Sequence, residues 1–117
     1  MQLAKEAAIA AVETVDAQLA RVVEACEASG TTLIVTADHG NCEQMWDPET
    51  NGPHTAHTLN PVGIVLVEPE GRKTAATLAD GALCDVAPTL LGILGVDQPV
   101  EMTGRDLRRG TPQGGAA

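Results

Sequence analysis

The chain has 117 residues, which suffice for one small domain and not for two full ones. Trp46 is its one large aromatic side chain, so any core must be thin and aliphatic. The formal net charge of −9, without a basic stripe, argues against nucleic acid and anionic membranes as partners. No apolar run approaches the roughly 20 residues that a membrane-spanning helix needs.

The first predicted element is a long amphipathic helix over residues 5–28. Apolar side chains recur along it every three or four residues, at Ala8, Val12, Val15, Leu19, Val22 and Cys26. This spacing places them on one helical face, and Ser29-Gly30 predicts the end of the helix. The same spacing fits the seam of a coiled coil, an alternative that the sequence leaves open.

Two apolar runs without charge predict strands, at residues 31–37 and 62–67. The first does not alternate between polar and apolar residues, which is typical of a strand buried on both faces in a parallel sheet covered by helices. We expect the second to be buried as well. Residues 41–60 contain turn residues and no helical period, so they predict a loop that is long for a compact domain.

The C-terminal part predicts one more helix. A short edge strand is one interpretation of residues 78–83. Asp85 predicts a helix N-cap with Pro88 in the first turn, and Gly95 predicts the helix end. This order of elements indicates an α/β fold. We expect one domain over residues 1–109, without an internal repeat, followed by a flexible tail over residues 110–117.

The cysteine and serine content bears on compartment and chemistry. Three widely spaced cysteines, Cys26, Cys42 and Cys84, predict reduced thiols rather than a disulfide framework. Because no signal peptide is visible, we expect a cytoplasmic protein. Ser29, at a predicted helix end, is the only serine. We therefore expect no serine nucleophile and assign no catalytic residue.

Asp38 and His39 are the first candidate site residues. They follow the first predicted strand directly, and strand ends are where ligands collect in open α/β sheets. A carboxylate oxygen and an imidazole nitrogen suit divalent metals such as Mn²⁺ or Zn²⁺. We expect Gly40 to allow a sharp backbone turn after them. The alternative is a turn or capping aspartate beside a solvated histidine.

His54 and His57 are the second candidate. They lie three residues apart in the predicted loop, where they would share a metal, or one would bind it while the other supports the first. All three histidines fall between residues 39 and 57. Residue chemistry alone leaves a metal site and an ordinary polar loop both open. No Lys or Arg lies between Arg21 and Arg72, so the loop offers no cation to a phosphate group.

Four motifs stand in order along the chain. They are Thr36-Ala37-Asp38-His39-Gly40-Asn41, His54-Thr55-Ala56-His57-Thr58-x-Asn60-Pro61-Val62, Leu83-x-Asp85-Val86-Ala87-Pro88-Thr89-Leu90-Leu91 and Glu101-Met102-Thr103-Gly104-x-Asp106-Leu107. With the leading helix, they resemble the C-terminal segment of 2,3-bisphosphoglycerate-independent phosphoglycerate mutase, a family of the alkaline phosphatase superfamily. The resemblance covers residues 7–107.

This resemblance implies an alkaline-phosphatase-like partial domain, with mostly buried strands flanked by helices, and a site for two Mn²⁺ ions, with Zn²⁺ or Co²⁺ as alternatives. Asp38 and His39 would hold the ion that also touches the serine nucleophile of the family, and His57 would hold the other. No ligand role carries over to His54. The family is an isomerase of glycolysis and gluconeogenesis, which interconverts 3-phosphoglycerate and 2-phosphoglycerate through a phosphoserine.

Several parts that the family needs have no counterpart in this sequence. They are the serine nucleophile, an N-terminal aspartate, the Asp and His of a D-x-x-G-H-T-G-type segment, and the arginines and lysine that bind substrate. We therefore expect a mutase fragment, inactive by itself, that a missing N-terminal half would complete. Two alternatives stay open: a non-catalytic metal-binding or self-associating module, and a fragment of another superfamily enzyme, such as a phosphopentomutase or a phosphatase.

Overall fold

The computed structural model describes residues 2–54, 56–74 and 76–109, and it forms two compact units that divide between Pro69 and Glu70. The predicted tail over residues 110–117 lies outside the described residues. The assignment of residues 1–109 to one domain stays a prediction. Helices combined with small antiparallel sheets make an α/β arrangement. Among the described helices, none has both the length and the apolarity to cross a membrane.

The first unit begins with the predicted helix, α1, which spans Gln2–Ser29. Gly30, at φ 69°, ends it. The backbone nitrogens of Gly30 and Thr31 donate to the carbonyls of Glu27 and Cys26, which completes a Schellman motif. The predicted apolar face is present, but it lies largely in solvent, because Val15 is 66% exposed.

The two predicted strands pair with each other. Strand β1 is Leu33–Thr36 and strand β4 is Ile64–Val67, and they run antiparallel with Leu33 opposite Val67. The expectation of a parallel sheet is therefore wrong, as is that of strands buried on both faces. The connection folds back on itself, so the chain returns beside the point where it left β1. The strands are half-buried, and Val65 is exposed, because the apolar face of α1 stays in solvent rather than covering them.

The predicted loop contains a small hairpin that the sequence interpretation missed. Strands β2, Trp46–Asp47, and β3, Gly52–Pro53, pair antiparallel. The Asp47 carboxylate accepts hydrogen bonds from the Glu49 amide at 2.9 Å and the Thr50 hydroxyl at 3.0 Å. Such bonds from a side chain to the following backbone close a turn, so local polar contacts rather than an apolar pattern form this hairpin.

The second unit contains two short 3₁₀ turns, Glu70–Arg72 and Leu83–Asp85, and the predicted helix α2, Val86–Leu94, which ends at Gly95 with φ 70°. Strand β5, Thr77–Leu78, pairs with β6, Arg108–Arg109. Of residues 78–83, for which a short edge strand was one interpretation, only Leu78 lies in a strand, and that strand begins one residue earlier, at Thr77.

Asp85 occupies the predicted N-cap position of α2 but has another role. Its side chain makes no cap hydrogen bond to α2. Instead, its carboxylate accepts from the backbone nitrogens of Ala82 at 2.7 Å and Arg105 at 2.8 Å. The predicted capping role is wrong because these donors occupy the carboxylate. Asp85 therefore joins the start of α2 to the segment that follows it.

Candidate metal centre

Asp38 and His39 follow β1, as the sequence predicted, and their side chains meet. Asp38 Oδ1 lies 3.3 Å from His39 Nε2, and the Asp38 side chain is 81% exposed. His39 Nδ1 lies 3.0 Å from the Gly40 carbonyl oxygen. A carbonyl only accepts, so this contact requires the proton on Nδ1. In the neutral ring, Nε2 then carries a lone pair that faces the carboxylate.

This pair of atoms fits the donor geometry of one divalent ion. Two donors that each lie about 2.1 Å from an ion are about 3.0–3.4 Å apart at tetrahedral or octahedral angles. The observed 3.3 Å between Asp38 Oδ1 and His39 Nε2 falls in that range. In addition, a histidine that binds a metal usually donates its other ring N–H to a carbonyl or carboxylate, as His39 does to Gly40.

Gly40 brings the second histidine segment close. The Thr58 amide donates to the Gly40 carbonyl at 3.0 Å in an isolated antiparallel bridge, and both residues are buried. A Cβ atom on Gly40 would overlap the Thr58 hydroxyl and the Glu43 carboxylate. The sharp turn expected at Gly40 is not what requires glycine, because the described glycines with positive φ are Gly30 and Gly95. Close packing against Thr58 requires it instead.

His57 lies directly beside His39. Their ring centroids are 3.8 Å apart, with an interplanar angle of 29°, so the rings stack. Asn41 Nδ2 lies 3.3 Å from His57 Nδ1 and can donate to it. Ring-nitrogen lone pairs lie in the ring plane, so stacked imidazoles do not direct them at one point between the rings. The arrangement suits two neighbouring ions better than one ion bound by both histidines.

His54 lies apart from this pair. Its backbone nitrogen donates to the Met45 carbonyl at 2.9 Å beside the β2–β3 hairpin. Its Nε2 is buried without a hydrogen-bond partner among the described residues. A supporting role for His54 stays a prediction, and no described contact joins its side chain to His39 or His57. Cys42 is an exposed free thiol, and Cys26 and Cys84 are free as well.

Among the described residues, the set of metal donors is incomplete. Across the described parts of the chain, no group of three or more His, Cys, Asp or Glu side chains has an arrangement that could hold a metal ion. Asp38 and His39 offer two donors, and His57 offers one beside them. Zinc sites take four ligands, or three and a water, so a complete centre needs ligands beyond these.

Glu43 is the residue that the sequence interpretation missed. Its carboxylate accepts from the Thr58 hydroxyl, from Asn60 Nδ2 at 3.0 Å and from the Asn41 amide at 2.6 Å. Hydrogen bonds from the Thr58 hydroxyl, the Glu43 backbone amide, Asn60 and Asn41, in decreasing order of effect, lower the pKa of Glu43 to about 2. The sequence does show polar side chains near both ends of the long loop. Nothing in the spacing indicates which of them meet.

Comparison with known proteins identifies the family of this chain. A model described as "Metalloenzyme superfamily" matches residues 4–98. The chain is 58% identical over 102 residues to the 2,3-bisphosphoglycerate-independent phosphoglycerate mutase of Ruegeria pomeroyi, which is 87% of this chain and 20% of that protein. The mutases of Rhodopseudomonas palustris and Dinoroseobacter shibae are 59% identical over 101 residues and 60% over 105. The match to the Rhodopseudomonas protein covers 86% of this chain and 19% of that protein, and the match to the Dinoroseobacter protein covers 89% of this chain and 20% of that protein. The chain thus spans about a fifth of the length of these relatives.

Proposed function

The chain belongs to the metalloenzyme superfamily, and from this premise we propose that it contributes part of the divalent-metal centre of a phosphoglycerate mutase. The complete enzyme would interconvert 3-phosphoglycerate and 2-phosphoglycerate by metal-assisted phosphoryl transfer, in glycolysis and gluconeogenesis. The identity of 58–60% to three proteins of that name supports the proposal. The free thiols of Cys26, Cys42 and Cys84 suit the reducing cytoplasm, where we place the protein.

The single observation that carries the proposal is the side-chain cluster at the end of β1. Asp38 Oδ1 and His39 Nε2 are 3.3 Å apart, and the His57 ring stacks on His39 at 3.8 Å. Residues from two segments of the chain thus bring a carboxylate and two imidazoles together. These donor types suit Mn²⁺, and Zn²⁺ or Co²⁺ would accept them as well.

In the proposal, Asp38 and His39 hold one ion and His57 holds the other. Bound ions would neutralise charge on the transferred phosphoryl group and activate the nucleophile. This chain would also orient the two histidine rings. The Gly40 carbonyl accepts from His39 Nδ1 and so keeps Nε2 available as a donor atom. The Asn41 amide group lies 3.3 Å from His57 Nδ1. Turned so that its oxygen accepts from Nδ1–H, it would leave His57 Nε2 as the donor atom for the second ion.

We expect no mutase turnover from the 117 residues by themselves. Ser29, the only serine, lies at the end of α1, where its hydroxyl donates to the Ala25 carbonyl at 2.9 Å. It is therefore an element of helix structure rather than a nucleophile. No Lys or Arg lies between Arg21 and Arg72 to bind a phosphate group at the loop. The nucleophile, the substrate-binding cations and the remaining metal ligands would come from an N-terminal half.

A Mn²⁺ titration of the purified chain, followed by electron paramagnetic resonance, tests the metal centre. We expect binding that is weakened by Asp38→Ala, His39→Ala or His57→Ala and unchanged in Cys42→Ser, a matched control in the same segment. An equal affinity of the unsubstituted chain and the Asp38→Ala, His39→Ala double variant would remove the metal proposal. Measurable mutase activity of the isolated chain with Mn²⁺ would contradict the proposal that the nucleophile and the substrate-binding cations come from an N-terminal half.

The apolar face of α1 favours a second candidate function, that of a self-associating module. Val12, Val15 and Val22 are 53%, 66% and 46% exposed, and their spacing also fits a coiled-coil seam. Sedimentation analysis separates the two candidates. A discrete dimer with a defined melting transition would favour the module, and a monomer or irregular aggregation would favour the mutase segment.

A further inference from the structure

Glu43 links two chain segments that are distant in sequence. Its Oε1 accepts from the backbone nitrogen of Asn41, on its own side of the loop. Its Oε2 accepts from the Thr58 hydroxyl and from Asn60 Nδ2, on the other side. One carboxylate thus receives three hydrogen bonds and closes the base of the long loop. We name this set of residues, Asn41, Glu43, Thr58 and Asn60, the loop clasp.

The loop clasp adjoins the two stacked histidines. Thr58 follows His57 in the chain, and its amide donates to the carbonyl of Gly40, which follows His39. The backbone bridge and the Glu43 carboxylate therefore hold Thr58 from two sides. Because His57 is the preceding residue, holding Thr58 also holds the His57 backbone beside His39, and the two ring centroids are 3.8 Å apart.

The packing at Gly40 supports a specific role for this contact. A Cβ atom on Gly40 would occupy the space of the Thr58 hydroxyl and the Glu43 carboxylate. Glycine is thus the residue type at position 40 that leaves room for the loop clasp. Both Glu43 oxygens already accept hydrogen bonds from protein groups, and the low pKa, about 2, keeps the side chain ionised and accepting at neutral pH. Glu43 is therefore occupied as a hydrogen-bond acceptor.

From this geometry we infer that Glu43 is a positioning residue of the metal centre, which holds His57 beside His39 through Thr58 without binding the ions itself. The effect on metal binding rests on the proposed function. The contact between His39 and His57 does not depend on any metal. Residues that orient metal ligands typically change metal affinity by about 10- to 100-fold when they are removed. We expect Glu43→Ala to weaken Mn²⁺ binding about tenfold.

The test uses the full chain and two measurements. The first is the nuclear Overhauser cross-peak between the ring protons of His39 and His57, recorded without metal. The second is the Mn²⁺ dissociation constant. Glu43→Ala removes the carboxylate, and Glu43→Gln keeps one acceptor oxygen and rescues part of the effect. Glu49→Ala is the matched control, since it removes the same charge from an exposed position in the same loop.

We expect the cross-peak in the unsubstituted chain and in Glu49→Ala, its loss in Glu43→Ala, and a weak peak in Glu43→Gln. Should Glu43→Ala fail to fold, Thr58→Val against Thr58→Ser tests the same hydroxyl–carboxylate contact. A cross-peak that persists in Glu43→Ala or Thr58→Val, or that is absent from the unsubstituted chain, overturns the inference. If the cross-peak follows these expectations but the unsubstituted chain does not bind Mn²⁺, the proposed function fails and the positioning of His57 stands.

Discussion

The hydroxyl of Thr89 accepts a hydrogen bond from the backbone amide of Leu107 at 3.0 Å, across 18 positions of the sequence. The same hydroxyl donates to the Asp85 carbonyl at 2.7 Å. Thr89 is fully buried, and Leu107 is 3% exposed. One small polar side chain thus connects helix α2 to the segment that leads into β6, in the most buried part of the second unit.

Replacing Thr89 by valine is expected to destabilise the protein by about 1–3 kcal/mol. Valine keeps the volume but leaves the buried Leu107 amide without its acceptor. Urea unfolding followed by circular dichroism measures the change. Thr89→Ser, which keeps the hydroxyl, is expected to lose less, and Thr103→Val, at an exposed position in the same unit, is expected to change little. Equal midpoints for Thr89→Val and the unsubstituted chain would contradict this role.

Gly40→Ala is expected to open the contact between the two histidine segments. The added methyl group would overlap the Thr58 hydroxyl and the Glu43 carboxylate, and such overpacking typically costs about 1–3 kcal/mol. We expect a lower urea midpoint together with loss of the His39–His57 cross-peak.

Gly63→Ala is the matched control for Gly40→Ala. A Cβ atom there meets nothing within 4 Å, and the φ angle is not positive. The control should keep both the stability and the cross-peak. A Gly40→Ala variant that behaves like Gly63→Ala would show that the close approach is not needed.

The pKa of Glu43 is expected to be about 2 in the folded chain and to rise when the Thr58 hydroxyl is removed, since that hydroxyl contributes most to lowering it. Carboxyl carbon shifts in a nuclear magnetic resonance titration of Thr58→Val measure this. Thr50→Val is the reciprocal control. It should raise the pKa of Asp47, which is lowered by the Glu49 amide and the Thr50 hydroxyl, and leave Glu43 unchanged.

The direction of the pH effect at Glu43 follows from the same shift. The folded pKa of about 2 lies below the ordinary value of 4.5, so the folded state binds a proton less readily than the unfolded state. The stabilisation is fully present above about pH 4.5 and is lost as the pH falls toward 2. A Glu43 pKa near 4.5 in the folded chain would contradict the clasp geometry.

Asp85→Asn is expected to lower the urea midpoint at neutral pH. The amide hydrogens of asparagine would face one of the two backbone donors, Ala82 N or Arg105 N, that lower the pKa of Asp85. Because the folded pKa lies below the unfolded one, the carboxylate stabilises the fold above about pH 4 and less at lower pH. The difference in urea midpoint between Asp85→Asn and the unsubstituted chain should therefore become smaller as the pH is lowered. Asp80→Asn, at an exposed position in the same unit, is the control and should change the urea midpoint at neutral pH little.

Local signals in the sequence predicted both helices. The apolar spacing along α1, the glycines after each helix and the Asp85–Pro88 start all act within a few residues of the element that they define, so they do not depend on the rest of the chain. The same is true of the placement of Asp38 and His39 after a strand. These features could be predicted because each rests on short-range backbone geometry and side-chain pattern.

The tertiary structure decided which segments meet. An uncharged apolar run such as β1 does not encode the direction of its partner, and the chain reversal before β4 makes the pair antiparallel. Thr58 and Glu43, 15 positions apart, are brought together by the bridge at Gly40. His39 and His57 stack beside that bridge, with ring centroids 3.8 Å apart. Hydrogen bonds between distant positions depend on the folded path of the loop, so residue types and spacing indicated the candidate donors while only the fold brought two of them into contact.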